Sequence, residues 1–145
     1  MAAMTLPRLQ AEVALRALQK DVYDTAVSKG WWDRDPVMTD VIRYLVATNA
    51  PEEMITRATA AAERDKGNLV ALMHSELSEG LENLRHGEGP DDKIPEFKGI
   101  EAELADTIIR IFDMAEHFKY DVIGALFAKA EYNKTRAYLH GGKKF

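Results

Sequence analysis

The stretch HSELSEGLENLRHG, residues 74–87, decides how this chain folds. Leu77, Leu81 and Leu84 recur at spacings of four and three, which is the period of a helix and not the alternation of a strand. At about 100° of rotation per residue they join Val70 and Met73 in one apolar stripe roughly 80° wide. Glu76 and Glu79 lie together on a flank of that stripe with Asn83 near them, and Glu82 points further round into solvent. No cation balances these carboxylates until Arg85. The helix is therefore either an unusually acidic solvated face or one that works with a positive charge the sequence does not supply.

The arrangement repeats downstream. Ile100, Leu104, Ile108, Ile111, Ala115 and Phe118 form a second stripe of similar width, and Glu103, Asp106 and Arg110 share the strip beside it. If the two helices pack through their stripes, four carboxylates converge. Like charges at close range in a partly buried site force protons onto one another, and a divalent cation removes that difficulty. The chain has no cysteine, so thiolate zinc sites, disulfides and cysteine nucleophiles are excluded and any metal must be held by oxygen or imidazole. An all-oxygen set suits Mg²⁺ or Mn²⁺. Either pair alone is common on amphipathic helices by chance, so two solvated faces are the alternative.

Outside these stretches helical periodicity also dominates, and the fold class expected is all-α. A first helix spans residues 6–28, with Leu9, Val13, Leu15, Leu18 and Val22 as its apolar set, and Gly30 and Pro36 then interrupt the helical pattern. Two shorter helices are divided at residues 49–51, with Pro51 suited to a first turn. Gly67 and Asn68 close that region, and Asn68 is read as the cap of a helix over residues 69–86. The stretch GEGPDDKIPEFKG is a connecting loop before a helix over residues 100–119. Asp121 caps a last helix running to residue 139, followed by the basic tail HGGKKF.

At 145 residues, 46% hydrophobic and 30% charged, the sequence suits one domain, 1–145, with a core. Neither an export signal nor a run of about 18 apolar residues is present, which gives the expectation of a cytoplasmic protein without a membrane partner. A net charge of −5 argues against a general nucleic-acid binder, yet allows a phosphorylated small molecule held by local basic groups.

Glu76-x-x-Glu79, a gap of 23 residues, then Glu103-x-x-Asp106, resembles the signature of the MazG-like all-α nucleoside triphosphate pyrophosphohydrolases. The C-terminal KAEYNKTRAYLHGGKKF resembles that family's Lys-x-x-x-Asn-x-x-Arg element and its glycine-basic tail. The resemblance covers residues 69–145, and GWW matches more loosely. Residues 33–68 depart from the compact members, so the fold expected is a MazG-like helical bundle with an additional helical segment between the first helix and the metal-binding helices.

The resemblance implies hydrolysis of a nucleoside or deoxynucleoside triphosphate to the monophosphate and pyrophosphate, with the base, purine or pyrimidine, left open. Glu76, Glu79, Glu103 and Asp106 would hold Mg²⁺ or Mn²⁺, and Glu76 or Glu79 would orient the attacking water. Lys129, Asn133 and Arg136, at i, i+4 and i+7 on one face of the last helix, would contact substrate, as would Lys143 and Lys144 in the tail. The family's habit of completing sites between subunits implies a homodimer or homotetramer.

Other residues carry two readings. Trp31 and Trp32 are either base-stacking groups or packing anchors. His74 reads as a core-edge residue, and Arg110 as either an ion-pair partner or a substrate contact. A di-iron carboxylate bundle needs Glu-x-x-His, which this sequence lacks. The alternative to an enzyme is a non-catalytic helical interaction protein that retains the fold.

Overall fold

The computed structural model describes residues 6–137. Among them the fold is all-α, with six helices and no strand, as the periodicity requires. These are α1 (Leu6–Ser28), α2 (Pro36–Ala47), α3 (Glu52–Ala61), α4 (Lys66–Arg85), α5 (Gly99–Phe118) and α6 (Val122–Lys134). No helix among the described residues is long and apolar enough to cross a membrane. Lys143 and Lys144 lie outside the described residues.

The chain divides into two compact units. The first joins the described part of α1 up to Tyr23 with the chain from Phe112 on. Its core is Phe112, Ala115 and the fully buried Ile123. Charge pairing knits its three helical segments. Arg16 bridges Glu12 at 2.7 Å and Asp121 at 2.9 Å, Arg8 pairs with Glu131 at 3.2 Å, and Gln19 Nε2 donates to Glu116 at 2.8 Å. Lys119, at φ +57°, ends α5, and Asp121 caps α6 as expected by accepting from Gly124 N–H. The last helix is shorter than its sequence suggests. It ends at Lys134 with Thr135 as its C-cap, and the Thr135 hydroxyl donates to the Tyr132 carbonyl at 2.7 Å, closing the helix locally.

The second unit, Asp24–Ile111, begins at the end of α1, where Gly30 takes the left-handed φ of +75° that makes the turn. Asp35 caps α2 by accepting from Val37 N–H and Met38 N–H, with Pro36 at the first helical position. Asn49 turns the chain at φ +49°, and α3 packs back on α2 to form a helical hairpin. The cap of α4 is Asp65, not Asn68. The Asp65 side chain accepts from Asn68 N–H at 2.7 Å, so Gly67 and Asn68 sit inside the first turn.

The loop between α4 and α5 has a defined shape. Asp91 accepts from Lys93 N–H and Ile94 N–H, Pro90 and Lys98 form an isolated antiparallel bridge, and Gly99 N–H donates to the Gly89 carbonyl at 2.9 Å. Glu101 then reaches back to Lys98 N–H at 2.8 Å, opening α5 with one half of a capping box. The loop returns the chain antiparallel to itself: Asn83 lies against Gly99, Gly80 against Ile100 and Glu103, and Glu76 against Arg110.

These contacts correct the packing expected from the stripes. The face of α4 turned to α5 carries Glu76, Gly80 and Asn83, and the leucine stripe lies about 100° away from it. Leu77, Leu81 and Leu84 are 46–49% exposed, and Leu104 and Ile108 on α5 are 47% and 50% exposed. The helices meet through a glycine and carboxylates because a small residue lets the two backbones approach. A Cβ at Gly80 would sit 2.9 Å from Ile100 Cδ1.

Candidate functional site

From this contact the two helices deliver their acids differently. Glu76 is buried, 5% exposed, and its Oε1 accepts from both Nε and Nη2 of Arg110 at 2.5 Å. The Glu103 carboxyl stands beside that of Glu76, and Asp106 stands one turn further along α5. Glu76, Glu103 and Asp106 each offer one carboxylate oxygen, and these oxygens lie within 4.8 Å of one another. Glu79 is exposed and lies outside that triad. Its Oε1 accepts from Ser75 Oγ at 3.2 Å, and its charge acts on Glu103.

Burial comes first among the causes that raise the Glu103 carboxyl above the usual carboxylate range, followed by the charge of Glu79 and the hydrogen bond and charge of Glu76. Asp106 is raised too, first by desolvation and then by Glu76, while Lys93 and Arg110 pull it back. Three acids at such range without full compensation make an electrostatic sink. The donors are all hard carboxylate oxygens with no imidazole or sulfur, a set that suits Mg²⁺ or Mn²⁺ better than a softer ion. Arg110 offsets one of the three charges, so a divalent ion would neutralise the rest.

Helical geometry gives the α4–α5 pair two unlike sides. Counting about 100° per residue from the contact, Glu79 and Asp106 turn to one side, and the leucines of α4 with Leu104 and Ile108 turn to the other. Ser75, Ser78, Glu79, Glu82, Asn83 and Glu103 line an open depression of about 590 Å³ that extends round α4 to Leu81 and Arg85, and Glu103 is the one member of the triad in its lining. A second cavity, about 320 Å³, is lined by Trp31, Arg64 and Arg110.

The remaining sequence candidates are distributed as follows. Trp31 is 55% exposed and lines that second cavity, and the Trp32 ring lies 5.3 Å from the Arg64 guanidinium. His74 is exposed and not at a core edge, because the stripe it borders is itself exposed. Lys129, Asn133 and Arg136 belong to the first unit. Lys129 Nζ sits 5.3 Å from the Tyr132 ring centroid, and Arg136 lies past the end of α6, where its N–H donates to the Asn133 carbonyl at 3.2 Å. The three therefore do not share one helical face, since only the first two are on the helix. Lys93 and Arg64 had no sequence signal. Lys93 stands in a proline-containing loop, and Arg64 between α3 and α4, within residues 33–68.

No family model matches this chain, and no curated protein and no solved structure matches it either.

Proposed function

We propose that this chain is a MazG-like nucleoside triphosphate pyrophosphohydrolase dependent on Mg²⁺ or Mn²⁺, acting as a homodimer or homotetramer. The observation that carries the reading is the triad: Glu76 from one helix and Glu103 and Asp106 from its antiparallel neighbour present oxygens within 4.8 Å of one another, in the Glu-x-x-Glu and Glu-x-x-Asp spacing of that family. Glu76, Glu103 and Asp106 would hold the ion, with Glu79 on the same acidic side. A divalent ion bound there supplies neutralisation of the triphosphate charge and polarisation of the attacked phosphorus. Glu79, exposed and fixed by Ser75, is the carboxylate best placed to orient a water, since Glu76 is occupied by Arg110. Arg110 keeps the orientation of Glu76 fixed. In this reading the exposed leucine side of α4 and α5 is covered by a second copy, because a soluble monomer has little reason to turn an apolar strip outward.

One observation favours the non-catalytic alternative. The Arg110–Glu76 ion pair partly satisfies the cluster without an ion, which a structural network also achieves. Incubation with each canonical NTP and dNTP in Mg²⁺ or Mn²⁺, read as pyrophosphate release, separates the two. Release of pyrophosphate with matching monophosphate supports the enzyme, and no release from any of them leaves the interaction protein.

A further inference from the structure

The segment that departs from the family pattern has a definite course. It leaves Trp31 and Trp32, runs out through α2, folds back through α3 and returns to the same two residues. There Arg64 Nη1 donates to the Trp31 carbonyl at 2.9 Å, and the guanidinium carbon lies 5.3 Å from the Trp32 ring centroid. Both contacts orient the planar fork of Arg64 before any ligand arrives. Arg64, Trp31 and Arg110 line the cavity of about 320 Å³. Arg110 in turn is tied to Glu76, so this cavity opens beside the carboxylate triad.

We infer that this cavity is a nucleobase pocket that selects a 6-oxopurine, with Trp31 carrying the ring and Arg64 reading its O6 and N7 edge. The inference rests on the nucleotide reading above and adds the base. Arginine offers donors only, so a wall of two guanidinium groups accepts an edge made only of acceptors. Guanine and hypoxanthine present O6 and N7 side by side, both acceptors, in the spacing that a guanidinium fork meets with two bonds. Adenine places an amino donor at the same edge, and cytosine places its N4 amino group there. Uracil and thymine offer O4 without a neighbouring acceptor. Stacking on Trp31 is available to every base and so supplies affinity without choice. The choice therefore falls to Arg64. A bare phosphate would also attract two arginines, but it would gain nothing from the indole.

Binding of GMP, IMP, AMP, CMP and inorganic phosphate, followed by indole fluorescence in buffer free of divalent ions, tests the pocket without catalysis. Wild-type protein is expected to bind GMP and IMP about tenfold more tightly than AMP or CMP, the discrimination typical of one bidentate arginine contact. Arg64→Lys keeps the charge and loses the fork, so the preference should vanish while AMP affinity holds. Arg64→Ala should do the same, with melting temperature as the check on folding. Equal binding of GMP and AMP by the wild type overturns the inference. So does a uniform loss of all ligands, inorganic phosphate included, in both variants, since that marks an anion site. Failure here is distinct from failure of the enzyme reading. A chain that releases pyrophosphate from every triphosphate alike keeps the activity and loses the pocket. One that binds GMP through Arg64 and releases none keeps the pocket and loses the activity.

Discussion

On the side of the α4–α5 pair where the two helices touch, the chain buries a carboxylate at 5% exposure and closes around it with a glycine. On the side turned away, leucines and an isoleucine stand about half exposed. Folding driven by apolar burial alone would rotate both helices the other way, since a buried unpaired charge costs far more than an exposed leucine. The reversal is tolerated because Arg110 pairs with Glu76 and because the acids are adjacent to a charged depression and not sealed in hydrocarbon. Under the proposed function the two sides answer to different partners: the inner side to an ion and a ligand, the outer side to another protein surface.

The largest effect that tests this division is catalytic. Glu103→Gln removes one charge from the inner side while keeping the shape and one acceptor. Turnover in Mg²⁺ should fall by about 100-fold or more, the scale of losing one preorganised electrostatic group. Melting temperature without divalent ions should stay level or rise, because a repelled carboxylate is gone. A variant retaining more than about a tenth of the wild-type rate would show that the triad is not the site of the chemistry.

The outer side is broken by charge. Leu77→Lys combined with Leu104→Lys should convert an assembly into a species near the chain mass of 16.3 kDa by light scattering, with helicity retained. These side chains are already half exposed, so the substitutions cost the isolated chain little, and a loss of helical signal would mean that they belong to a core. A wild-type protein already monomeric and active at micromolar concentration would show that the apolar strip has no partner.

How far the sequence foretells this contrast depends on which link is asked about. The span of α1 and the Asp121 cap are legible because each rests on local chemistry: a run of helix formers without an internal glycine that stops before Gly30, or a side-chain oxygen three residues before an N–H; the apolar set of α1 does not mark a core, since Leu9, Val13 and Leu18 are about half exposed or more. The cap of α4 is not, because Asp65 and Asn68 both have the necessary oxygen, and only geometry shows which accepts. The sequence overstates the length of α6 because its periodicity continues past the point where Thr135 closes the helix. Of the site, the residue types and spacing are readable and the packing is not. A stripe reveals that a face avoids water without saying which surface covers it. The neighbouring helix is the obvious candidate, yet glycine and glutamate occupy that contact. Arg64 and Lys93 carry no signal, since each reaches its neighbours only after a loop or hairpin folds back.

A smaller effect sharpens the comparison through pH. In ion-free protein Glu103 and Asp106 titrate above the usual range. Between the ordinary carboxylate pKa and those raised values the folded state holds protons that the unfolded chain has released. Their contribution therefore favours folding at the low end of that window and is lost as pH rises through the raised values. Glu116, Asp121, Asp91 and Glu131 are lowered and act in the opposite sense below the ordinary range, so the difference between wild type and Glu103→Gln isolates the inner side. Melting temperature of the wild type relative to the variant should decline as pH rises from the ordinary carboxylate range through the raised one in chelator, and Mg²⁺ should abolish that decline. A difference independent of pH would mean that neither burial nor the neighbouring acids raise Glu103.

The smallest effect concerns how closely the inner sides approach. Gly80→Ala adds one methyl group at the point where α4 meets α5, 2.9 Å from Ile100 Cδ1 and 3.5 Å from Glu103 Cβ. Two terms oppose each other. Alanine in place of glycine inside a helix gains roughly 1 kcal/mol in propensity, and the added methyl must displace the end of a flexible isoleucine, at a cost of the same order. Stability should change by less than about 1 kcal/mol, measured by urea denaturation. Gly80→Leu has no such balance, since three more carbons must follow a Cβ that already lies 2.9 Å from Ile100 Cδ1 and 3.5 Å from Glu103 Cβ, and they force the helices apart. Loss of at least about 2 kcal/mol is expected there, together with weaker Mg²⁺ binding as Glu76 and Glu103 separate. If Gly80→Leu were as stable as the wild type, the close approach at glycine would not be what brings the carboxylates together, and the inner side would owe its geometry to the Arg110–Glu76 pair alone.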